Sequence, residues 1–191
     1  MISTKLAPAF AALMLFAAPY AASAQKQPDD TPPVAFGDNA EMADAEEAAQ
    51  PAAPRTFAPI NYDASVEPEN VWVLDLSNGQ RVKVRLQADW APGHVERIKT
   101  LTRAGFYNGV VFHRVIEGFM AQGGDPTGTG QGGSELPDLK AEFNPMPHVR
   151  GSLSMARASE EDSANSQFFI VFYPRFSLDK KYTNFGRVIE N

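Results

Sequence analysis

The sequence contains no cysteine, and this absence excludes several kinds of chemistry. A disulfide framework, a thiol nucleophile and a cysteine-linked lipid anchor are all ruled out. Histidine is also scarce: His94, His113 and His148 are far apart and form no HExxH pattern, so we expect no catalytic metal. We also expect no cofactor.

An excess of positive charge is missing as well. The net charge of the chain is −6, and residues 25–69 carry ten acidic and two basic residues. Residues 70–191 hold 14 basic and 13 acidic residues and are therefore nearly neutral. A nearly neutral domain offers no electrostatic footprint for a phosphate backbone, so we expect no binding to nucleic acid.

The N-terminal apolar run is too short to serve as a membrane span. Lys5 precedes apolar residues 7–18, and Ala22-Ser23-Ala24 matches a small-residue cleavage pattern. About 20 apolar residues are needed to cross a bilayer, which argues against the alternative of a membrane anchor. The pattern predicts that residues 1–24 are a signal peptide, cut after Ala24. We expect the product to be periplasmic, in a Gram-negative bacterium, and not inserted in the membrane.

Residues 25–69 have few large apolar side chains and contain seven prolines among their many acids. Such a composition buries too little surface to offset the entropy of ordering. We predict a disordered acidic spacer over 25–69. A partner-binding role for residues 44–49 is the alternative.

The pattern typical of a folded domain begins near Val71. Alternating residues over 71–76 and 81–86, joined by Asn78-Gly79, predict a hairpin with a type I′ turn. A helix is predicted from Pro92 to Gly105, with Val95, Ile98, Leu101 and Thr102 on one face. Short apolar strands follow, around 110–114, 119–122, 151–156, 168–172 and 185–189. Their spacing predicts a mainly β domain, either a barrel or a sandwich.

Two patterns that would point to other enzymes lack support. No serine lies in a GxSxG motif, so a serine hydrolase would have to pair Ser152, Ser154 or Ser166 with His113. Residues 128–133 spell GxGxxG, but no buried parallel strand precedes them and Pro137 follows where a helix should run. We predict a loop without a dinucleotide.

Five blocks with a fixed order remain in the second half of the chain. They read FHR at 112–114, FMAQGGD at 119–125, SMARA at 154–158, SQFFI at 166–170 and FGRV at 185–188. In this order they resemble the cyclophilin family of peptidyl-prolyl cis/trans isomerases, and the resemblance covers about residues 71–191. It implies a β-barrel flanked by an α-helix, and extended proline-containing polypeptides as substrates.

The resemblance also assigns roles to residues. Arg114 would be the catalytic donor to the prolyl nitrogen, while His113 would point away from the groove. Gln122 would hold the substrate backbone, and Gln167 with the edge at Ala156-Arg157-Ala158 would complete the groove. The proline pocket would be lined by Phe119, Met120, Phe169 and Leu178, and Tyr182 would be a further substrate-binding residue. Because side chains alternate along a strand, Phe168 and Phe169 should face opposite sides.

The chain departs from the better-known family pattern in three places. Ser177 precedes Leu178 where an aromatic residue is usual, so we expect weak cyclosporin binding, and Tyr182 replaces a frequent histidine. Family domains continue past the FGRV block with a second helix and a closing strand, whereas this sequence ends at Asn191. We therefore expect domain 70–191 to be an open, C-terminally truncated barrel with an exposed edge at 71–76.

Three functions compete on this basis. The first is a monomeric isomerase that assists the folding of exported proteins. The second is a chaperone or binding module that holds proline-containing peptides without catalysis. The third is a carboxylate-based hydrolase that uses acids such as Asp125 and Glu142.

Overall fold

The computed structural model describes residues 57–191. The predicted signal peptide and residues 25–56 of the predicted spacer lie outside the described residues. Seven strands and one α-helix follow along the chain: β1 (Val71–Asp75), β2 (Arg81–Leu86), α1 (Pro92–Arg103), β3 (Arg114–Ile116), β4 (Met120–Gly123), β5 (Ser152–Met155), β6 (Phe168–Val171) and β7 (Asn184–Glu190). Short 3₁₀ helices occupy Pro68–Asn70 and Phe176–Leu178.

The strands form one curled antiparallel sheet in the order β1-β2-β7-β5-β6-β4-β3. This arrangement confirms the prediction of a mainly β, barrel-like domain with a flanking helix. Among the described residues, β1 and β3 are the two edges of the sheet and do not pair with each other. A cavity of about 720 Å³ lies between β1 on one side and residues 110–112 and 123–124 on the other. The expected open edge at 71–76 is therefore present.

The hairpin that joins β1 to β2 has a different turn from the predicted one. Gly79 has a φ of +83°, but Asn78 does not have positive φ, so a type I′ turn is excluded. The Gly79 N–H donates to the Leu76 carbonyl and the Leu76 N–H donates to the Gln80 carbonyl, each at 2.9 Å. The loop therefore has three residues and ends in a glycine bulge.

Helix α1 covers one end of the inner face of the sheet. It begins at Pro92, and beyond its end Gly105 adopts a φ of +73°, as the sequence predicted. Thr102 is exposed, which contradicts its predicted place on the buried face. The main core comprises Trp72, Val84, Leu86, Ala91, Val95, Ile98, Leu153, Met155, Ala164, Phe168 and Phe185. Within residues 57–191 no helix is long and apolar enough to span a membrane.

Strand β3 begins later than predicted. The sequence indicated a strand over 110–114, whereas pairing runs from Arg114 to Ile116, opposite Met120–Gln122. Residues 110–112 instead line the cavity at the open side, where the described residues supply no strand to pair with them. Residues 110–112 do have a composition typical of a β-strand, but a strand also requires a neighbouring strand with which to pair.

Residues 57–69 differ from the predicted disorder, because they contact the folded domain. Arg85 on β2 is only 2% exposed, and its guanidinium donates to the carbonyls of Asn61, Asp63, Val66 and Glu67. The indole of Trp90 donates to the Ala58 carbonyl. A buried guanidinium must satisfy its donors, and this segment supplies the acceptors.

Candidate active site

The register of four strands places a row of side chains on one face of the sheet. Arg114 pairs with Gln122, Gln122 with Phe169, and Phe169 with Ser154. Residues directly opposite in an antiparallel sheet point to the same face, with Cβ atoms about 5 Å apart. The residues next to this row in sequence, such as Leu153 and Phe168, belong to the main core on the other face. The sheet therefore presents Arg114 and Gln122 outside the barrel, in line with Phe169.

A second apolar cluster surrounds Phe169 on this outer face. Its members are Phe119, Met120, Ala156, Phe169, Val171, Leu178 and Tyr182, each at most 8% exposed. It contains every residue predicted to line the proline pocket. Phe168 lies in the main core and Phe169 in this cluster, so the predicted alternation is confirmed. The cluster forms a closely packed apolar floor.

Aromatic rings and two arginines define the rim of this floor. The ring of Tyr182 meets Phe169 edge-on, with centroids 5.5 Å apart. The Arg157 guanidinium lies 5.1 Å from the Tyr182 centroid, and that of Arg175 lies 5.4 Å from the Phe119 centroid. Burial raises the pKa of Tyr182, although Arg157 and Arg114 act to lower it, so its hydroxyl is neutral at physiological pH. Sequence reasoning missed Arg175, because no motif surrounds it.

Arg114 itself is half-buried, and its side chain makes no hydrogen bond or ion pair with any residue between 57 and 191. A guanidinium carries five N–H donors and stays protonated throughout the physiological range. Most arginines that are partly removed from water use some of those donors on the protein. Arg114 therefore presents an unused, charged donor beside the apolar floor.

The side-chain amides of Gln122 and Gln167 are buried and hydrogen-bonded to each other, and each has a different further environment. The Gln122 amide donates to the Gln167 Oε1 at 2.9 Å, while the buried Gln122 Oε1 has no partner within residues 57–191. Gln167 donates to the carbonyls of Gly130 and Gly132 at 3.1 and 2.8 Å. The Gln122 Oε1 is thus an unpaired acceptor buried beside the apolar floor, whereas Gln167 holds the glycine-rich loop in place.

The glycine-rich loop, residues 128–133, encloses the side-chain carboxylate of Asp125. Asp125 is fully buried, and its carboxylate accepts from the Thr127 N–H at 2.7 Å, the Thr127 hydroxyl at 2.8 Å and the Gly130 N–H at 2.6 Å. Burial by itself would raise the pKa of Asp125, but hydrogen bonds from Thr127, Gly132 and Gly130 outweigh it and lower this pKa to about 2. The N–H groups that might bind a phosphate are therefore already occupied.

This loop should make the stability of the protein depend on pH. The folded-state pKa of Asp125, about 2, lies below the ordinary aspartate value of 3.8. The stabilisation is therefore complete above about pH 4 and is lost as the pH falls through 2. We expect Asp125→Asn to lower the free energy of unfolding at pH 7 by about 2 kcal/mol, the usual scale for a charged hydrogen-bonded group. Urea unfolding of both proteins at pH 7 and pH 2.5 tests this, and a difference that does not shrink at pH 2.5 would contradict it.

The remaining predicted site residues lie at one end of the floor. Arg157 donates to the carbonyls of Lys181, Ala158 and Ser159, so it fixes the strand edge that follows Ala156. Phe176 is 62% exposed, and Ser177 is exposed as well. Neither residue therefore adds an aromatic ring to the apolar cluster, in keeping with the departure seen in the sequence.

The groups considered for hydrolysis have other partners. Ser154 bonds His148 at 2.8 Å, and not His113, whose two ring nitrogens have no hydrogen-bond partner. Burial lowers the pKa of His113. Glu142 pairs with His94 at 2.6 Å, and Asp125 is engaged by its own loop. Among residues 57–191, no group of three or more possible ligands is placed to hold a metal ion.

Comparisons with known proteins match this geometry. The family model described as cyclophilin type peptidyl-prolyl cis-trans isomerase/CLD matches residues 73–191. A probable peptidyl-prolyl cis-trans isomerase of Brucella suis is 47% identical over 141 residues, which cover 68% of this chain and 71% of the relative. Peptidyl-prolyl cis-trans isomerase B of Bacillus subtilis is 45% identical over 114 residues, covering 59% of this chain and 79% of the relative.

The fold comparison gives the same result. The crystal structure of a Cryptosporidium parvum cyclophilin type peptidyl-prolyl cis-trans isomerase, obtained in the presence of the dipeptide Ala-Pro, aligns with a TM-score of 0.59 and 35% identity. The alignment covers 62% of this chain and 78% of the other. The residues that the family model matches, 73–191, include the whole row of Arg114, Gln122, Phe169 and Ser154, and the chain belongs to the cyclophilin-type peptidyl-prolyl cis-trans isomerase family.

Proposed function

We propose that this isomerase rotates X-Pro bonds by donating a hydrogen bond from Arg114 to the prolyl nitrogen of the twisted peptide. The observation that carries the proposal is the unused guanidinium of Arg114, in register with Gln122 and beside the apolar cluster. Rotation about an amide breaks no σ bond, so neither a nucleophile nor a metal is required. The obstacle is amide resonance, which sets a barrier of about 18–20 kcal/mol.

The donor acts on the step that limits the reaction. When the bond twists, conjugation is lost and the prolyl nitrogen becomes pyramidal, with a lone pair that can accept a hydrogen bond. In the planar amide this lone pair is delocalised and accepts poorly. An Arg114 donor therefore stabilises the twisted state more than either planar state, which is the condition for catalysis.

Other groups in the row hold the substrate while it rotates. The apolar cluster would bind the proline ring against Phe119, Phe169 and Leu178, because these groups lie around one floor. Gln122, in register with Arg114 and Phe169, would hold the substrate backbone by its side-chain amide. The proline ring and the adjoining backbone are then fixed on one side of the bond while the other side turns.

The activity can be measured on a short peptide that contains one Ala-Pro bond. The uncatalysed rotation takes tens of seconds or more, so catalysis is readily detected. We expect the full chain to accelerate the exchange between cis and trans in proportion to enzyme concentration. An unchanged exchange rate at saturating protein would contradict the proposal and favour a binding module.

We also propose that the enzyme works in the periplasm on exported proteins. The support is the sequence of residues 1–24, with its apolar run and the Ala22-Ser23-Ala24 pattern. Expression of the full gene in a Gram-negative host should give a periplasmic product that begins at Gln25. A cytoplasmic product that retains Met1, identified by N-terminal mass spectrometry, would refute this localisation.

A further inference from the structure

A chain of three hydrogen-bonded side chains lies beneath the apolar floor. The Asp179 Oδ1 bonds the His148 Nδ1 at 2.7 Å, and the His148 Nε2 bonds the Ser154 Oγ at 2.8 Å. His148 and Ser154 are both fully buried, whereas Asp179 retains 27% side-chain exposure. This is the order of groups found in a serine hydrolase, but the serine is sealed from solvent and no substrate can reach it.

The protonation of this chain follows from its acceptors. A carboxylate only accepts, so the His148 Nδ1 must carry a proton toward Asp179. Burial lowers the pKa of His148, although the bond to Asp179 acts to raise it, and the neutral ring is favoured at physiological pH. The Nε2 of a neutral ring is then an acceptor, and the Ser154 hydroxyl donates to it. The hydrogen bonds therefore all point one way, from Ser154 to His148 and from His148 to Asp179.

His148 also fixes both ends of the turn that carries Leu178. Its backbone N–H donates to the Asp179 Oδ1 at 2.8 Å, and its carbonyl accepts from the Arg175 N–H at 2.8 Å. Residues 175–179 are thus held between two bonds to one residue. Leu178 in this turn is 3% exposed and belongs to the apolar cluster.

The imidazole ring of His148 also packs against Phe169, another residue of the apolar cluster. It stacks on Phe169, with centroids 6.3 Å apart and planes inclined by 15°. Ser154, at the other end of the bonded chain, is the cross-strand partner of Phe169. One buried ring therefore contacts the turn of Leu178, strand β5 and strand β6.

We propose that Asp179 and His148 are positioning residues that hold Leu178 and Phe169 in the arrangement that binds the proline ring. The inference rests on the proposed function of the apolar floor. Neither residue would touch the substrate. Replacing either residue should mainly weaken substrate binding. Arg114 on β3 is not part of the hydrogen-bonded chain of Asp179, His148 and Ser154, so its position should not change.

The protein contains a second histidine–carboxylate pair that serves as a matched control. The Glu142 Oε2 bonds the His94 Nδ1 at 2.6 Å and accepts from the His94 N–H at 3.1 Å, as Asp179 does for His148. The His94 Nε2, however, has no hydrogen-bond partner among the described residues, 57–191, and His94 lies in helix α1. The two pairs have the same chemistry, but only the His148 pair continues to the apolar floor.

The test compares Asp179→Ala, Asp179→Asn and Glu142→Ala in the peptide assay, with melting temperatures recorded for each. We expect Asp179→Ala to lose about tenfold in kcat/KM, mainly through a higher KM, since lost binding raises KM without changing kcat. Asp179→Asn should keep kcat/KM within about threefold of wild type, because an amide oxygen accepts the same two bonds. Glu142→Ala should lose stability and keep kcat/KM.

Several outcomes would overturn the inference. They are an Asp179→Ala enzyme within twofold of wild type, a loss confined to kcat, an equal loss in Asp179→Asn, or an equal loss in Glu142→Ala. An inactive wild-type protein would instead refute the proposed function, so the two failures are distinguishable.

A measurement on the wild-type protein does not depend on whether the variants fold. Ring ¹⁵N resonances of the histidines can be followed while an Ala-Pro dipeptide is added. We expect those of His148 to shift and those of His94 to stay constant. If the dipeptide binds and both rings respond, or neither does, the inference is wrong.

Discussion

Replacement of Arg114 by alanine should lower kcat/KM for an Ala-Pro peptide by at least about 100-fold. The Arg114 side chain has no hydrogen-bond or ion-pair partner among residues 57–191, so its truncation breaks no internal side-chain bond that would weaken the fold. What is lost is a charged donor whose bond forms only in the twisted state, and such donors contribute about 10²–10³-fold. The melting temperature should change little, and the KM should change less than kcat.

Two further variants separate charge from geometry. Arg103→Ala removes the same charge at the exposed end of helix α1, where an ion pair with Glu96 spans 3.7 Å, and should leave kcat/KM within about twofold of wild type. Arg114→Lys keeps the charge on a different headgroup and should recover only part of the activity. An Arg114→Ala enzyme as active as wild type would refute the mechanism.

Replacement of Gly124 by alanine should destabilise the protein by about 2–5 kcal/mol. Gly124 has a φ of +90°, and a Cβ there would lie 2.4 Å from the Ser166 carbonyl oxygen and 2.9 Å from the Gln167 Cα. The left-handed backbone costs about 1–2 kcal/mol for alanine, and overpacking against a rigid neighbour adds about 1–3 kcal/mol. Urea unfolding measures the loss.

Gly79 provides the control for backbone conformation alone. Its φ is +83°, but a Cβ there would meet nothing within 4 Å. Gly79→Ala should therefore cost only about 1 kcal/mol, from the left-handed backbone. Equal losses at the two positions would show that the close approach of Gly124 to strand β6 contributes nothing. The new Cβ in Gly124→Ala should also displace Gln167. Because Gln167 accepts the hydrogen bond that fixes the Gln122 amide, this displacement should lower activity as well.

The succession of strands and helix along the chain could be predicted from local patterns, because each element depends on nearby residues. Helix α1 begins at Pro92 and is closed by Gly105, and both signals are local. The limits of β3 could not be predicted, because a strand ends where its partner ends. The turn at Gly79 was misassigned for a related reason: Asn-Gly is compatible with several loops, and pairing decides among them.

The apolar cluster was predicted as a set of residues but not as a surface. Alternation placed Phe168 and Phe169 on opposite faces, and the structure agrees. It could not show that Leu178 and Tyr182, in a different segment, meet Phe169. That the cluster is separate from the main core depends on the curvature of the sheet, which no local pattern specifies.

Several groups that act through long-range contacts, at the site and elsewhere in the fold, were missed altogether. Arg175, the pair of His148 and Asp179, and the contacts of Arg85 with residues 61–67 all depend on long-range contacts. Such residues belong to no short motif. The unpaired oxygen of Gln122 could not be foreseen either, because whether a buried group lacks a partner is known only once the fold is known.

The most direct test of the account is exchange spectroscopy on an Ala-Pro peptide with a small amount of the protein. NMR resolves the cis and trans forms and reports both binding and the rate at which they interconvert. The account predicts exchange cross-peaks that appear with wild-type protein and disappear with Arg114→Ala, while the peptide still binds. Binding without faster exchange in the wild-type protein would contradict it.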